Sequence, residues 1–136
     1  MRHTAILVLA LLAGVSGASA VSIDELSSKA YSEGRAKGFI TGPFADDLVR
    51  KTRSKGIPQA EIVREAQDKS GCVTFRTTFT VPSVPDTNGV IVGDYVTTSR
   101  YSLCPGSQAN PAPVVIACRV GPHSCMAGGA NEAKLK

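Results

Sequence analysis

The sequence predicts an α+β fold: about three N-terminal helices packed on a small antiparallel sheet of three or four strands, stapled by disulfides. Three observations predict it. Charged residues concentrate between residues 21 and 71, where apolar residues recur at helical spacing. From Cys72 onward, charged residues become sparse and apolar residues alternate with polar ones, as they do in strands. The chain also contains four cysteines, an even number that is typical of disulfides in a small exported protein.

Residues 1–20 have the three parts of a secretory signal peptide. Arg2 lies in a short positive region, residues 5–15 form an apolar run, and Ala18 and Ala20 are the small residues that a signal peptidase reads. An apolar run of this length is too short to cross about 30 Å of hydrocarbon. We therefore expect cleavage after Ala20 and export to the periplasm or the cell exterior, with no integral membrane segment after cleavage.

The remaining chain is expected to form a single globular domain over residues 21–126, followed by a flexible tail over residues 127–136. Aromatic residues make up 5% of the sequence and tryptophan is absent, so the hydrophobic core is modest. The net charge of +4 falls to about +3 once Arg2 is removed. This excess permits weak attraction to anionic surfaces. The sequence has no long run of Lys and Arg, so we expect no nucleic-acid partner.

The first predicted helix begins at Ser22, because Ser22 and Glu25 match a capping box, in which each side chain accepts a hydrogen bond from the other residue's backbone N–H. Gly34 and Gly38 interrupt the helical pattern, so we expect the helix to end there. The apolar residues of its inner face are Ile23, Leu26 and Ala30.

Two further helices are predicted between Pro43 and Gly71. Pro43 and Pro58 suit first helical positions, where the missing N–H has no partner to lose, and Gly56 and Gly71 suit helix ends. The residues expected on the inner faces are Phe44, Leu48 and Val49 in the second helix, and Ile62, Val63 and Ala66 in the third. This pair also matches a DNA-reading helix-turn-helix, but a helical hairpin packed on a sheet has the same pattern, and the signal peptide favours the hairpin.

A β-hairpin is predicted around the turn residues 86–89. Apolar residues alternate with polar ones in the strand before the turn and again in the strand after it. Folding the chain at this turn places apolar side chains opposite each other, and a slip of one residue would destroy the match. The expected pairs are Val73 with Leu103, Phe75 with Tyr101, and Val81 with Tyr95. Residues 113–120 are predicted to form the next strand.

The same register places Cys72 opposite Cys104, within disulfide range. Cys118 and Cys125 would then pair with each other across a turn at residues 120–122. The alternative joins Cys104 to Cys118 across the proline-rich loop, and Cys72 to Cys125. With either pairing we expect no free thiol.

His123 lies among these cysteines and raises the question of a metal or catalytic site. Cys118, His123, Cys125 and Met126 offer ligands that suit copper or zinc, but their spacing matches no zinc-finger pattern, and oxidation competes for both thiols. A catalytic cysteine needs a free thiol, and the sequence has no GxSxG motif of a serine hydrolase. We therefore expect no metal, no cofactor and no catalytic residue.

The expected function is that of a small non-catalytic binding or accessory protein of the cell envelope, for example in a conjugation or other secretion apparatus, with a protein partner. A small secreted hydrolase that uses His123, or a secreted inhibitor or effector, are the alternatives. The proline-rich segment 105–113 is either a plain connector or a docking loop that its prolines stiffen. If it docks a partner, Gln108, Asn110 and Pro111 are the expected contact residues.

Overall fold

The computed structural model describes residues 19–106 and 112–125. Its elements, in chain order, are α1 (Ile23–Glu33), β1 (Arg35–Phe39), α2 (Pro43–Thr52), β2 (Gln59–Gln67), β3 (Val73–Pro85), β4 (Ile91–Leu103), β5 (Val114–Val120) and β6 (His123–Ser124). The strands form one antiparallel sheet in which each strand pairs with its neighbours in the chain. The fold of the described residues is therefore mostly a six-stranded antiparallel meander with two short helices. Neither helix is long and apolar enough to cross a membrane.

The predicted arrangement of three helices on a sheet of three or four strands is wrong. The third predicted helix, which began at Pro58, is strand β2 instead. Its apolar residues fit helical spacing, but Ala60 and Ile62 also alternate with the polar residues Gln59 and Glu61, and both are fully buried. Since β2 lies between β1 and β3, its backbone groups have strand partners on both sides. That pairing outweighs a local preference for helix. Because the third helix is absent, the segment is not a helix-turn-helix.

Strand β1 was not predicted, because its sequence has no apolar alternation. Ala36 is its one buried residue. The strand follows α1 directly through Gly34, whose left-handed φ of 86° ends the helix and turns the chain toward β2. There the backbone N–H of Arg64 donates to the Gly34 carbonyl at 2.9 Å. Pairing with β2, and not a hydrophobic pattern, makes this segment a strand.

The first of the predicted helices is confirmed, as α1. The Glu25 N–H donates to Ser22 Oγ at 3.2 Å, and the Ser22 N–H donates to the Glu25 carboxylate at 3.0 Å. Leu26 and Ala30 are buried against the sheet. The capping box and the inner face of α1 are therefore as the sequence predicted.

Helix α2 begins at Pro43 as predicted but ends at Thr52, before Gly56. The chain leaves the helix at Arg53, which has a left-handed φ of 57°. The hydroxyl of buried Ser54 then donates to the Pro82 carbonyl of β3, which draws this segment onto the sheet. The sequence contains no local signal for this contact between residues 28 positions apart.

The predicted hairpin register is confirmed. Val73 pairs with Leu103, Phe75 with Tyr101, and Val81 with Tyr95. The hairpin consists of β3 and β4, which are 13 residues long and form the centre of the sheet. The strand predicted after the proline-rich segment is β5.

The hydrophobic core lies on one face of the sheet, where α1 packs on β1 and β2 and α2 packs on β3. We call this the helix side and the opposite surface the open face. The buried core residues are Leu26, Ala30, Ala36, Ile40, Ala45, Ala60, Ile62, Val73 and Phe75. The helices cover β1 to β3 more than β4 and β5, so the core is displaced toward one edge of the sheet.

Candidate functional site

The cysteines form two disulfides in the structure. Cys72 precedes β3 and Cys104 follows β4, and their Cα atoms lie 4.0 Å apart. Cys118 and Cys125, with Cα atoms 5.2 Å apart, form the second bond. This pairing follows from the hairpin register, and the alternative pairing is not formed. All four cysteines are described and none is a free thiol, so neither a thiol nucleophile nor a thiolate ligand is present in the oxidised chain.

His123 lies exposed in the short strand β6, opposite Val120. The backbone N–H of Cys125 donates to the Cys118 carbonyl at 3.1 Å beside the disulfide. The segment that carries the histidine is therefore a hairpin closed by a covalent bond. Among the described residues, no group of three or more His, Cys, Asp or Glu side chains could hold a metal ion.

The residues predicted to contact a partner, Gln108, Asn110 and Pro111, lie outside the described residues. Of the segment that follows them, the described part begins at Ala112. Pro113 then lies at the border of a cleft on the helix side. The prediction about this segment is therefore untested.

The outer edge of β5 is one candidate binding surface. On one side β5 pairs with β4, and on the other β6 pairs with Arg119 and Val120 alone. We call the remaining outer edge, residues 114–117, the β5 edge. It pairs with no other described strand. Val114, Val115 and Ile116 are 60%, 50% and 40% exposed.

Edge strands usually have features that prevent pairing with another chain, such as charged side chains, an internal proline or a bulge. The β5 edge has no charged residue and no proline. It has one protective feature, a register shift opposite Thr98 and Ser99. An apolar edge with so little protection can accept an additional strand.

A second candidate surface is a cleft on the helix side of the sheet, beside the N-terminal ends of the two helices, with a volume of about 360 Å³. We call it the helix-side cleft. The side chains that shape it are Ile23, Phe44, Thr77, Phe79, Ser99 and Tyr101. Its lining is predominantly apolar and aromatic, which is typical of small-molecule sites.

The open face carries two small ion-pair clusters. In the first, Glu65 contacts Arg100 (2.7 Å between carboxylate oxygen and Nε) and Arg76 (3.4 Å). The hydrogen bond from Arg100, aided by the positive charges of Arg100 and Arg76, holds the pKa of Glu65 below its ordinary value. This cluster has two cations for one carboxylate, so it keeps a net positive charge.

The second cluster on the open face is built in the same way. Glu61 contacts Arg35 and, at 3.9 Å, Lys37. The hydrogen bond from Arg35 lowers the pKa of Glu61. On the same face, Thr78 and Thr98 form a cross-strand hydrogen bond of 3.0 Å. Val63 lies between Arg35 of one cluster and Arg76 of the other. Two small positive clusters on either side of Val63 are compatible with weak attraction to anionic surfaces, but they do not form a continuous basic patch.

The β5 edge and the helix-side cleft were not predicted from the sequence. The run of four apolar residues at 114–117 is a sequence signal for the β5 edge. In a strand with one face in solvent, apolar and polar residues would alternate, and here they do not. No sequence signal exists for the cleft, because helices and strands from separate parts of the chain surround it. Comparison of the chain with protein families, with curated proteins and with solved structures found no match.

Proposed function

We propose that the chain is an exported, non-catalytic binding protein, an accessory component of an envelope assembly, that holds an extended segment of a partner protein along the β5 edge. The observation that carries this proposal is the exposed apolar run 114–117, whose outer side pairs with no described strand. An extended segment would satisfy the outward backbone groups of this strand and cover its apolar side chains.

Export is supported by two independent features. Residues 1–20 have the pattern of a signal peptide. The chain also has two disulfides, and disulfides persist in oxidising compartments such as the periplasm or the cell exterior. A binding role in the envelope would explain the signal-peptide pattern, the disulfides and the exposed β5 edge.

The recognition would combine two kinds of contact. Backbone hydrogen bonds to the β5 edge supply affinity without regard to sequence, and side chains on alternate faces supply specificity. Val115 pairs with Ser99 on the helix side, whereas Val114 pairs with Arg100 on the open face. The partner segment should therefore have an apolar residue opposite Val115, and opposite Val114 a residue that tolerates a nearby guanidinium.

A photo-crosslinking amino acid in place of Ile116 tests this proposal in cells. Val90, which is 61% exposed in the β3–β4 turn, is the matched control position. We expect a crosslink to one partner protein from position 116 and none from position 90. A synthetic peptide of the crosslinked segment should bind the purified protein, and Ile116→Lys should weaken that binding by about tenfold or more, whereas Val90→Lys should not.

The outcomes that would overturn the proposal are distinct. Equal crosslinking from positions 116 and 90, or none from 116, would exclude the β5 edge as the contact. A crosslink between two copies of this chain would replace the partner protein with a homodimer. His123→Ala is expected to leave peptide binding unchanged, and loss of a biological activity in that folded variant would favour the hydrolase instead.

A further inference from the structure

The floor of the helix-side cleft is a pair of small residues between larger ones. Thr77 of β3 lies directly opposite Ser99 of β4. On the same face of β3, Phe75 and Phe79 are the residues two positions before and after Thr77. Because short side chains occupy the central positions and rings rise beside them, a depression forms in the sheet surface.

Aromatic rings form the walls of this depression. Of the lining rings, Phe44 packs on Phe79 with centroids 4.8 Å apart. Tyr101 stacks at 5.5 Å on Phe75, which is buried and does not itself line the cleft. The volume of this open cleft, about 360 Å³, lies in the range of small-ligand sites. Among the described residues, no charged side chain lines the cleft, so it favours a neutral and mostly apolar occupant.

The hydroxyl of Thr77 is the unexplained polar group of the cleft. Thr77 is 2% exposed, and its Oγ1 has no hydrogen-bond partner. Hydroxyls on the open face behave differently, since Thr78 pairs with Thr98 at 3.0 Å and Thr74 pairs with Ser102 at 2.9 Å. A buried hydroxyl without a partner costs free energy, and native proteins rarely retain one without a reason.

We infer that the helix-side cleft binds a small neutral molecule with an apolar, ring-sized body and one hydroxyl or carbonyl group, which forms a hydrogen bond with Thr77. The body packs between the aromatic walls. Because Oγ1 is buried, a lining side chain must turn aside for the polar group to reach it. Phe44, 43% exposed in the first turn of α2, is the most exposed aromatic side chain of the lining.

Two matched probes test this site: 2-naphthol and 2-methylnaphthalene, which have the same ring system but differ in the hydroxyl. Thr77→Val removes the hydroxyl and keeps the side-chain shape. We expect this variant to bind 2-naphthol about two- to tenfold more weakly than the unmodified protein, as loss of one neutral hydrogen bond predicts. Its affinity for 2-methylnaphthalene should be unchanged. Isothermal titration calorimetry measures both.

Two further variants serve as controls. Thr78→Val removes the neighbouring hydroxyl on the open face and should leave the binding of both probes unchanged. Ser99→Leu fills the floor and should weaken the binding of both by about tenfold or more. Thermal melts establish that each variant is folded. If Ser99→Leu does not fold, amide chemical shifts of the unmodified protein on addition of 2-naphthol give the location, and the largest changes should surround Thr77 and Ser99.

The inference is overturned if 2-naphthol shows no saturable binding, or if Thr77→Val binds it as tightly as the unmodified protein. It is also overturned if a folded Ser99→Leu variant retains full binding of both probes, or if the shift changes lie away from the cleft. None of these results bears on the β5 edge, because the test of that surface uses Ile116 and a peptide.

Discussion

The disulfide between Cys72 and Cys104 closes the open end of the β3–β4 hairpin, where the two Cα atoms lie 4.0 Å apart. It directly adjoins the pair formed by Val73 and Leu103. On its other side, Asp68 accepts hydrogen bonds from the backbone of Ser70 and Cys72 at 2.9 and 3.0 Å. The bond therefore fixes the two central strands and the turn from β2 to β3 at one point.

The two disulfides should contribute unequally to stability. Cys72 and Cys104 are 32 positions apart in the chain, and Cys118 and Cys125 are seven apart. Because a longer closed loop removes more entropy from the unfolded chain, replacing the first pair by serine should cost about 4 kcal/mol and replacing the second about 2 kcal/mol. Urea unfolding of the two double variants measures both free energies. Equal losses would contradict this account.

Gly121→Ala should destabilise the protein more than Gly89→Ala. Both glycines have a positive φ, 55° and 84°, so alanine is strained at either position. A Cβ at Gly121 would also lie 2.2 Å from the Val92 carbonyl oxygen, whereas a Cβ at Gly89 would meet nothing within 4 Å. We expect a loss of about 1 kcal/mol for Gly89→Ala and at least twice that for Gly121→Ala, measured by urea unfolding. A smaller loss of stability for Gly121→Ala would contradict this prediction, because it would mean that β4 and β5 can move apart at that position at little cost.

Acid should weaken the contribution of Glu65. Its pKa in the folded protein lies below the ordinary 4.5, because Arg100 and Arg76 favour the carboxylate. The stabilisation is therefore complete above pH 4.5 and is lost as the pH falls through the folded pKa. Glu65→Gln should lower the urea midpoint at pH 7, and the difference from the unmodified protein should close in acid.

Glu33→Gln is the control for this titration, because Glu33 has no ion pair among the described residues. It should not lower the urea midpoint at pH 7. A difference for Glu65→Gln that persists or grows in acid would contradict the assigned role of the two arginines.

Export predicts a mature chain that begins at Val21. Its backbone N–H donates to the Phe39 carbonyl and its carbonyl accepts from Thr41, both at 2.9 Å, so cleavage after Ala20 leaves the first residue held beside β1. N-terminal sequencing should find Val21, and Ala20→Leu should accumulate the precursor, because a large residue blocks the cleavage position. A product that retains Met1 in the cytoplasm would refute export.

The sequence by itself determined the features that depend on neighbouring residues and on strict alternation. The capping box of Ser22 and Glu25 needs residues three positions apart, so it is visible in the chain. The hairpin register from Val73 to Leu103 follows from period-two alternation, since one face must be buried. The pairing of Cys72 with Cys104 then follows from that register.

Only the tertiary structure decided the segments whose local signals were weak or ambiguous. Residues 59–67 fit a helix as well as a strand, and pairing with β3 on one side and β1 on the other settled the outcome. Strand β1 exists only because β2 offers it a partner, and the unpaired Thr77 hydroxyl arises only once helices cover the sheet. Backbone hydrogen bonds must be satisfied in the folded chain, and the partners that satisfy them here lie far away in sequence.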